Sequence, residues 1–350
     1  MNITRTQTIL LSALIVGLIA VFLLSLSLGS VSIPLEQIVT ILFGGTAERA
    51  SWATIVLKFR LPKAITAALA GAALAASGLQ MQTLFRNPLA DPFVLGISSG
   101  ASLGVALVVL VAGVAGGSSL LAGVSLVGDV SLAFASIIGS TLVLLLVMAV
   151  SRRVQSTMTL LILGLLFGYA TSALVSVLLY FSIAERIQAY ISWTFGSFGG
   201  VTWSQLQIFG PVVVVALILS HLLVKPLNAF LLGETYARSM GLNVGLARLG
   251  VITTSASLAG IVTAFCGPIG FLGVAVPHLC RSLFGTSDHR VLLPAVTLMG
   301  GILALGADLL AQLPGSQLTL PLNAVTALLG APVVAWVILR QRNLRESFAG

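Results

Sequence analysis

Residues 9–29, ILLSALIVGLIAVFLLSLSLG, run for 21 positions without one charged side chain. No other feature restricts the fold as much. Such a stretch either fills the middle of a large soluble core or crosses a bilayer, whose hydrocarbon needs about 20 helical residues. Composition decides between them. Only 7% of the 350 residues are charged and 58% are hydrophobic, whereas a soluble domain carries about 25% charged residues to clothe its surface. The chain reads as a polytopic membrane protein. The first run exceeds the roughly 7–15 apolar residues of a signal peptide, and no clear small-residue cleavage site follows, so it reads as a retained span.

Ten apolar segments can be drawn: 9–29, 64–83, 93–113, 130–150, 157–181, 204–224, 246–266, 270–284, 291–312 and 321–340. The eighth is short and glycine-rich. The runs are continuously apolar rather than alternating, which favours helices over a barrel, since backbone polar groups in lipid must be satisfied within the segment. The expectation is an all-α fold in one transmembrane domain spanning residues 1–350. Lys and Arg set its orientation. With the N-terminus inside, 12 of the 17 basic residues lie on the cytoplasmic side and 5 (Arg49, Lys58, Arg60, Lys63 and Arg186) on the outer side. The cytoplasmic set includes Arg86, Arg152, Arg153, Arg238, Arg248 and Arg290. An even number of spans returns the C-terminus to the same side. The connections at 30–60 and 182–203 carry amphipathic stretches expected to lie along the outer membrane surface.

Four stretches stand out from this apolar background. LGETYARSMGL (232–242) falls on the cytoplasmic side between the sixth and seventh segments. Gly233 can open a helix, Glu234 sits in its positive first turn, and Glu234 and Arg238 have the i,i+4 spacing of an ion pair. Gly241 can close the helix in a left-handed conformation, and Asn243 can cap the next one. A helix of about two turns is not stable alone, so it needs a surface. A loop helix on the chain itself and a docking element for a soluble partner both meet that need.

The second stretch, FRNPLADPFVLGISSGASLG (85–104), has two prolines that break helix and a pairing across the turn open to Arg86 and Asp91. In the third, FRLPKAI (59–65), Arg60 and Lys63 lie three apart and point to one side, either as interfacial anchors or as a basic patch for an acidic partner. The fourth, CGPIGFLGVAVPHLCRSLFGTSDHR (266–290), has glycines and prolines that interrupt helix where polar backbone could line a cavity. Its histidines lack metal-ligand spacing: His278 has no second His or carboxylate at i±3 or i±4. Neither a metal site nor a bound cofactor is expected. Cys266 and Cys280 read as small buried side chains. Asp308 is an intramembrane acid near the outer end of its segment, read as a hydrogen-bonded cap. No GxxxxGK[ST] loop is present, so the chain lacks the usual means of binding and hydrolysing ATP.

These stretches, with RLPK, GAALAASGLQMQTLFRNPLADPFVLGISSGA, GPIGFLGVAVPHLCR, DHRVLLP and LPLNAVTALLGAPV, resemble the FecCD-type permeases in order from about residue 60 to residue 335. Those are membrane subunits of ATP-driven importers for ferric siderophores, haem and cobalamin. The resemblance implies a type II importer permease of about ten spans in the bacterial inner membrane, with both termini inside. It implies a second permease subunit, two separate ATPase subunits below and a periplasmic or lipid-anchored binding protein above. It makes residues of about 225–245 the ATPase-coupling region, with Gly233, Glu234, Ala237, Arg238 and Gly241 matching the family's coupling segment. It makes Arg60 and Lys63 the matches to basic positions that meet the binding protein. Transport would then be alternating access without chemistry in this chain, with an iron-siderophore substrate as the first expectation and haem or cobalamin as alternatives. Two positions depart from the pattern: Gln312 replaces a basic residue, and Asn323 replaces a glycine. The competing reading, an ion-coupled transporter, requires paired intramembrane carboxylates or a Lys–Asp pair.

Overall fold

A computed structural model describes residues 4–111, 129–151, 157–312 and 319–347. Arg152 and Arg153 lie outside the described residues, as do the last positions of the third apolar segment. Among the described residues, seven helices are long and apolar enough to cross a membrane, and three shorter apolar helices accompany them. Together they make the ten segments anticipated, and no strand occurs among the described residues.

In chain order the helices are α1 (Arg5–Ser27), α2 (Leu35–Leu42), α3 (Ala50–Leu84), α4 (Ile97–Ala106), α5 (Asp129–Ser151), α6 (Thr157–Tyr180) and α7 (Ala184–Thr194). They continue as α8 (Trp203–Leu222), α9 (Val224–Leu231), α10 (Glu234–Ser239), α11 (Val244–Cys266), α12 (Leu272–Phe284), α13 (His289–Ala311) and α14 (Leu322–Ser347). Local chemistry explains several starts. Thr4 and Gln7 form a reciprocal capping box on α1, and Thr202 and Gln205 form another on α8. The Asn243 side chain accepts from Leu246 N at 3.1 Å to begin α11, as the sequence suggests.

The main departure from expectation is α3. It begins at Ala50, so the outer connection is shorter than 30–60, and its 35 residues rise at about 1.5 Å each, well beyond a hydrocarbon core. Pro62 should interrupt it, because proline has no N–H and leaves a carbonyl unpaired. The helix passes this obstacle through a π-helical turn at Ile55–Arg60, where Leu61 N bonds back to Val56 O. In that register Pro62 would bond Leu57 O. The indole Nε1 of Trp203 donates to Leu57 O instead, at 2.8 Å. The missing donor is thus supplied by the start of α8.

Helix α3 is the hub. Of its most apolar stretch 83% is buried, against 17% for that of α1 and of α6. It packs on α13, α11, α12 and α8, with small residues at the crossings. A Cβ built on Gly71 would sit 2.1 Å from Gly300 O, and one on Gly78 would sit 1.9 Å from Gly273 O. These helices touch backbone to backbone. Polar side chains knit α3 to α8 and α11: Gln80 Nε2 donates to Ser220 Oγ at 2.6 Å, Thr254 Oγ1 donates to Gln80 Oε1 at 2.9 Å, and Ser77 and Ser255 share a 2.6 Å hydroxyl contact.

The short eighth segment begins only at Leu272, after the non-helical residues Gly267–Phe271. The departure at Asn323 is put to use here. Its Oδ1 accepts from Gly270 N at 3.0 Å while its backbone N–H donates to Phe195 O at 3.0 Å. A glycine at 323 would keep only the second bond.

Candidate functional site

The stretch 232–242 forms α10, a helix of six residues between two glycines. Gly233 has φ +100° and Gly241 has φ +83°, conformations costly for any residue with a Cβ. At the C-terminal end, Leu242 N bonds Ala237 O at 3.1 Å and Gly241 N bonds Arg238 O at 3.0 Å. This is the paired 6→1 and 5→2 pattern of a Schellman stop. Ala237 is fully buried in a cluster with Leu227, Phe230, Val244, Ala247 and Val251. The short helix therefore rests on α9 and on the first turns of α11.

Its ion pair differs from the one expected. Glu234 bonds Arg248 on α11 rather than Arg238 four residues on: Arg248 Nη2 donates to both carboxylate oxygens, at 2.6 and 2.7 Å. Arg248 is only 7% exposed, so the pair holds α10 to the bundle from the inside. The sharp reversal between α10 and α11 brings residues 14 apart in sequence together, which no helical spacing rule foresees. Arg238 is left facing outward. Beside it, Leu232, Tyr236 and Met240 are exposed by 59%, 53% and 53%. The candidate surface is thus Leu232, Tyr236, Arg238 and Met240, of which the sequence motif marks only Arg238. Gly233, Glu234, Ala237 and Gly241 shape and hold the helix.

The second stretch meets the first. Arg86, at φ +48°, turns its guanidinium toward α10, and a Cβ on Gly233 would lie 3.3 Å from Arg86 Nη1. The pairing open to Arg86 and Asp91 is not made. Asp91 instead caps the following turn by accepting from Phe93 N at 2.8 Å, and burial pushes its carboxyl up to about 6. The loop is pinned to α12, since His278 Nε2 donates to Pro88 O at 2.8 Å. Arg281 Nη1 donates to Gln82 Oε1 at 2.6 Å nearby.

At the opposite end, Arg60 and Lys63 do share a side, as their spacing requires, but that side is inward. Arg60 is 9% exposed. Its guanidinium donates to Leu26 O at 2.7 Å and Ser27 O at 2.9 Å, carbonyls in the last turn of α1 that lack an intrahelical partner, and to Val31 O just beyond it. Gly29 makes room for it, since a Cβ there would lie 2.8 Å from Nη2. Lys63 Nζ pairs with Asp308 Oδ1 at 3.0 Å, and Gln312 Nε2 donates to Asp308 Oδ2 at 2.7 Å. Asp308 is therefore an ion-pair partner rather than merely a cap, and Gln312, the other departure, completes its shell. In this arrangement Arg60 is spent on α1 and presents no free charge to a docking partner. Exposed cations on this side are Arg49, stacked over Trp52, and Lys58. Among the described residues no group of three or more His, Cys, Asp or Glu side chains could hold a metal ion.

With this geometry in view, a comparison with family models matches residues 17–340 to the FecCD transport family. The chain belongs to the FecCD transport family. Among curated relatives, the vitamin B12 import system permease protein BtuC of Klebsiella pneumoniae is 41% identical over 288 residues, 82% of this chain and 83% of that protein. The protein of the same name from Citrobacter koseri is 38% identical over 82% of this chain and 84% of its own length. Among solved structures, an inward-facing conformation of a putative metal-chelate type ABC transporter superposes with a TM-score of 0.81, at 29% identity, over 95% of this chain and 99% of that one. The chain is thus an importer permease by family and by fold. The Lys–Asp pair that an ion-coupled transporter requires does exist here, as Lys63–Asp308. It is closed by Gln312 and sits in a family of ATP-driven importers, so it reads as a structural clasp.

Proposed function

We propose that this chain is the membrane subunit of an ATP-driven cobalamin importer in the bacterial inner membrane, working with a second permease subunit, two ATPase subunits and a substrate-binding protein outside. The observation that carries the reading is α10: a short helix, capped at both ends and clamped from within, whose outward face offers Leu232, Tyr236, Arg238 and Met240. Such a face suits a groove on a soluble partner, and a chain without an ATP-binding loop needs one that hydrolyses ATP. Glu234, Ala237, Gly233 and Gly241 give the helix its shape, and Arg238 belongs to the contact.

Cobalamin is favoured over the siderophore first expected because the relatives near 40% identity bear the vitamin B12 name over more than four-fifths of their length. A ferric chelate is the second reading, favoured by the likeness to a metal-chelate type transporter. The binding protein docks on the outer surface around α3, where Arg49 and Lys58 are open and Lys63 becomes available only if Asp308 releases it. Apolar side chains exposed on α6, among them Tyr169 at 73%, suit lipid or the second permease.

The test is uptake into vesicles holding the chain with its ATPase and binding protein. Labelled cyanocobalamin is expected to accumulate only with ATP inside and only when the ATPase is present. Accumulation of a ferric siderophore but not of cyanocobalamin would transfer the reading to iron. Uptake driven by a proton or sodium gradient without the ATPase would end it.

A further inference from the structure

One residue that no motif marks sits between the coupling element and the hub of the bundle. Asn228 lies on α9, five residues before Gly233, and its side chain holds the start of α13. Asn228 Nδ2 donates to Asp288 Oδ1 at 2.7 Å. Asn228 Oδ1 accepts twice from His289, from the backbone N–H at 2.9 Å and from ring Nδ1 at 2.8 Å. Because Oδ1 can only accept, the ring proton belongs on Nδ1. The other ring nitrogen, Nε2, is then an acceptor, and the Thr83 hydroxyl on α3 lies 2.8 Å from it; Leu79 O, also 2.8 Å from that hydroxyl, competes for the same single proton. His289 is 1% exposed. A continuous line of hydrogen bonds therefore runs from α9 through the first residue of α13 to the last turn of α3.

We infer that Asn228, acting through His289 and Thr83, is the positioning element that carries displacement of α9 and α10 into α13 and α3. Glu234–Arg248 links α10 to α11 only. Asn228 provides a separate link to the two helices that meet backbone to backbone at Gly71 and Gly300. The geometry suits transmission, because a single amide grips both an N-terminal backbone N–H and a buried ring, so α9 cannot shift without moving the start of α13 or breaking several bonds at once. The inference rests on the reading of α10 as the ATPase contact.

The experiment measures hydrogen exchange of the chain purified with its ATPase subunits, with and without ATP and vanadate. In the unaltered complex, nucleotide is expected to change exchange in segments 234–248, 289–293 and 80–84. Asn228→Ala is expected to keep the response in 234–248 and to reduce it in the other two by about fivefold or more, the scale of a coupling free energy between sites. Thr83→Val, which keeps the side-chain volume and removes the hydroxyl, is expected to lose the response in 80–84 alone. A nucleotide-free exchange pattern matching that of the unaltered complex separates lost transmission from lost structure. An undiminished response in all three segments of both variants would overturn the inference while leaving the α10 reading intact. No response in 234–248 of the unaltered complex would overturn both.

Discussion

Gly78→Val is expected to leave almost no folded chain. A Cβ at this position would stand 1.9 Å from Gly273 O and 2.5 Å from Gly273 C, and both contacts are backbone, so no flexible side chain can give way. Relief requires α3 and α12 to separate, which would also strain the 3.3 Å bond from Gln82 Nε2 to Val274 O and the 2.6 Å bond from Arg281 to Gln82. Ordinary overpacking costs about 1–3 kcal/mol. Moving two buried backbones apart at the hub should exceed about 4 kcal/mol, a large share of a typical stability of roughly 5–15 kcal/mol. The measurement is the yield of monodisperse protein after detergent extraction. Gly306→Ala is the control, because nothing lies within 4 Å of a Cβ built there; it should extract normally.

The second large effect concerns the clamp on α10. Arg248→Glu would place two carboxylates against each other where Arg248 now bridges both oxygens of Glu234. Removing one partner of a buried pair costs about 3–5 kcal/mol, and the partial exposure of Glu234 sets the expectation near the lower figure, about 3 kcal/mol. That exceeds what a two-turn helix can recover by itself. Helix α10 should detach locally while the bundle stays folded, seen as rapid proteolysis within 232–243 at an unchanged melting temperature. Glu234→Arg alone should do the same. The double exchange restores opposite charges and should recover protection. Failure of the double variant to improve on either single one would show that the ion pair does not hold α10.

The ten spans were legible because a bilayer imposes a length and a charge rule that a sequence displays directly. Helix starts at Asn243, and the stop at Gly241, were legible because caps are local chemistry. Tertiary partners were not. Glu234 has an i,i+4 cation in Arg238, yet a turn of four residues delivers Arg248 to it from the next helix. Arg60 and Lys63 share a face as their spacing requires, but spacing cannot tell whether that face looks out or in. The last-turn carbonyls of α1 and the carboxylate of Asp308 decided for inward. The extension of α3 past Pro62 depended on an indole 141 positions later, Trp203. Asn228 carried no local sign at all, since its meaning comes from a helix that begins 61 residues on.

The central claim is that the outward face of α10 receives a separate ATPase. Co-purification of that ATPase with the tagged chain tests it most directly, comparing the unaltered chain with the double variant Tyr236→Ser, Arg238→Glu. Both side chains are exposed, so the bundle should be unaffected and the amount of extracted chain should not change. The account predicts that the bound ATPase falls by about tenfold or more, as loss of a central aromatic and a central arginine does at an interface. An undiminished ratio of ATPase to chain would contradict it.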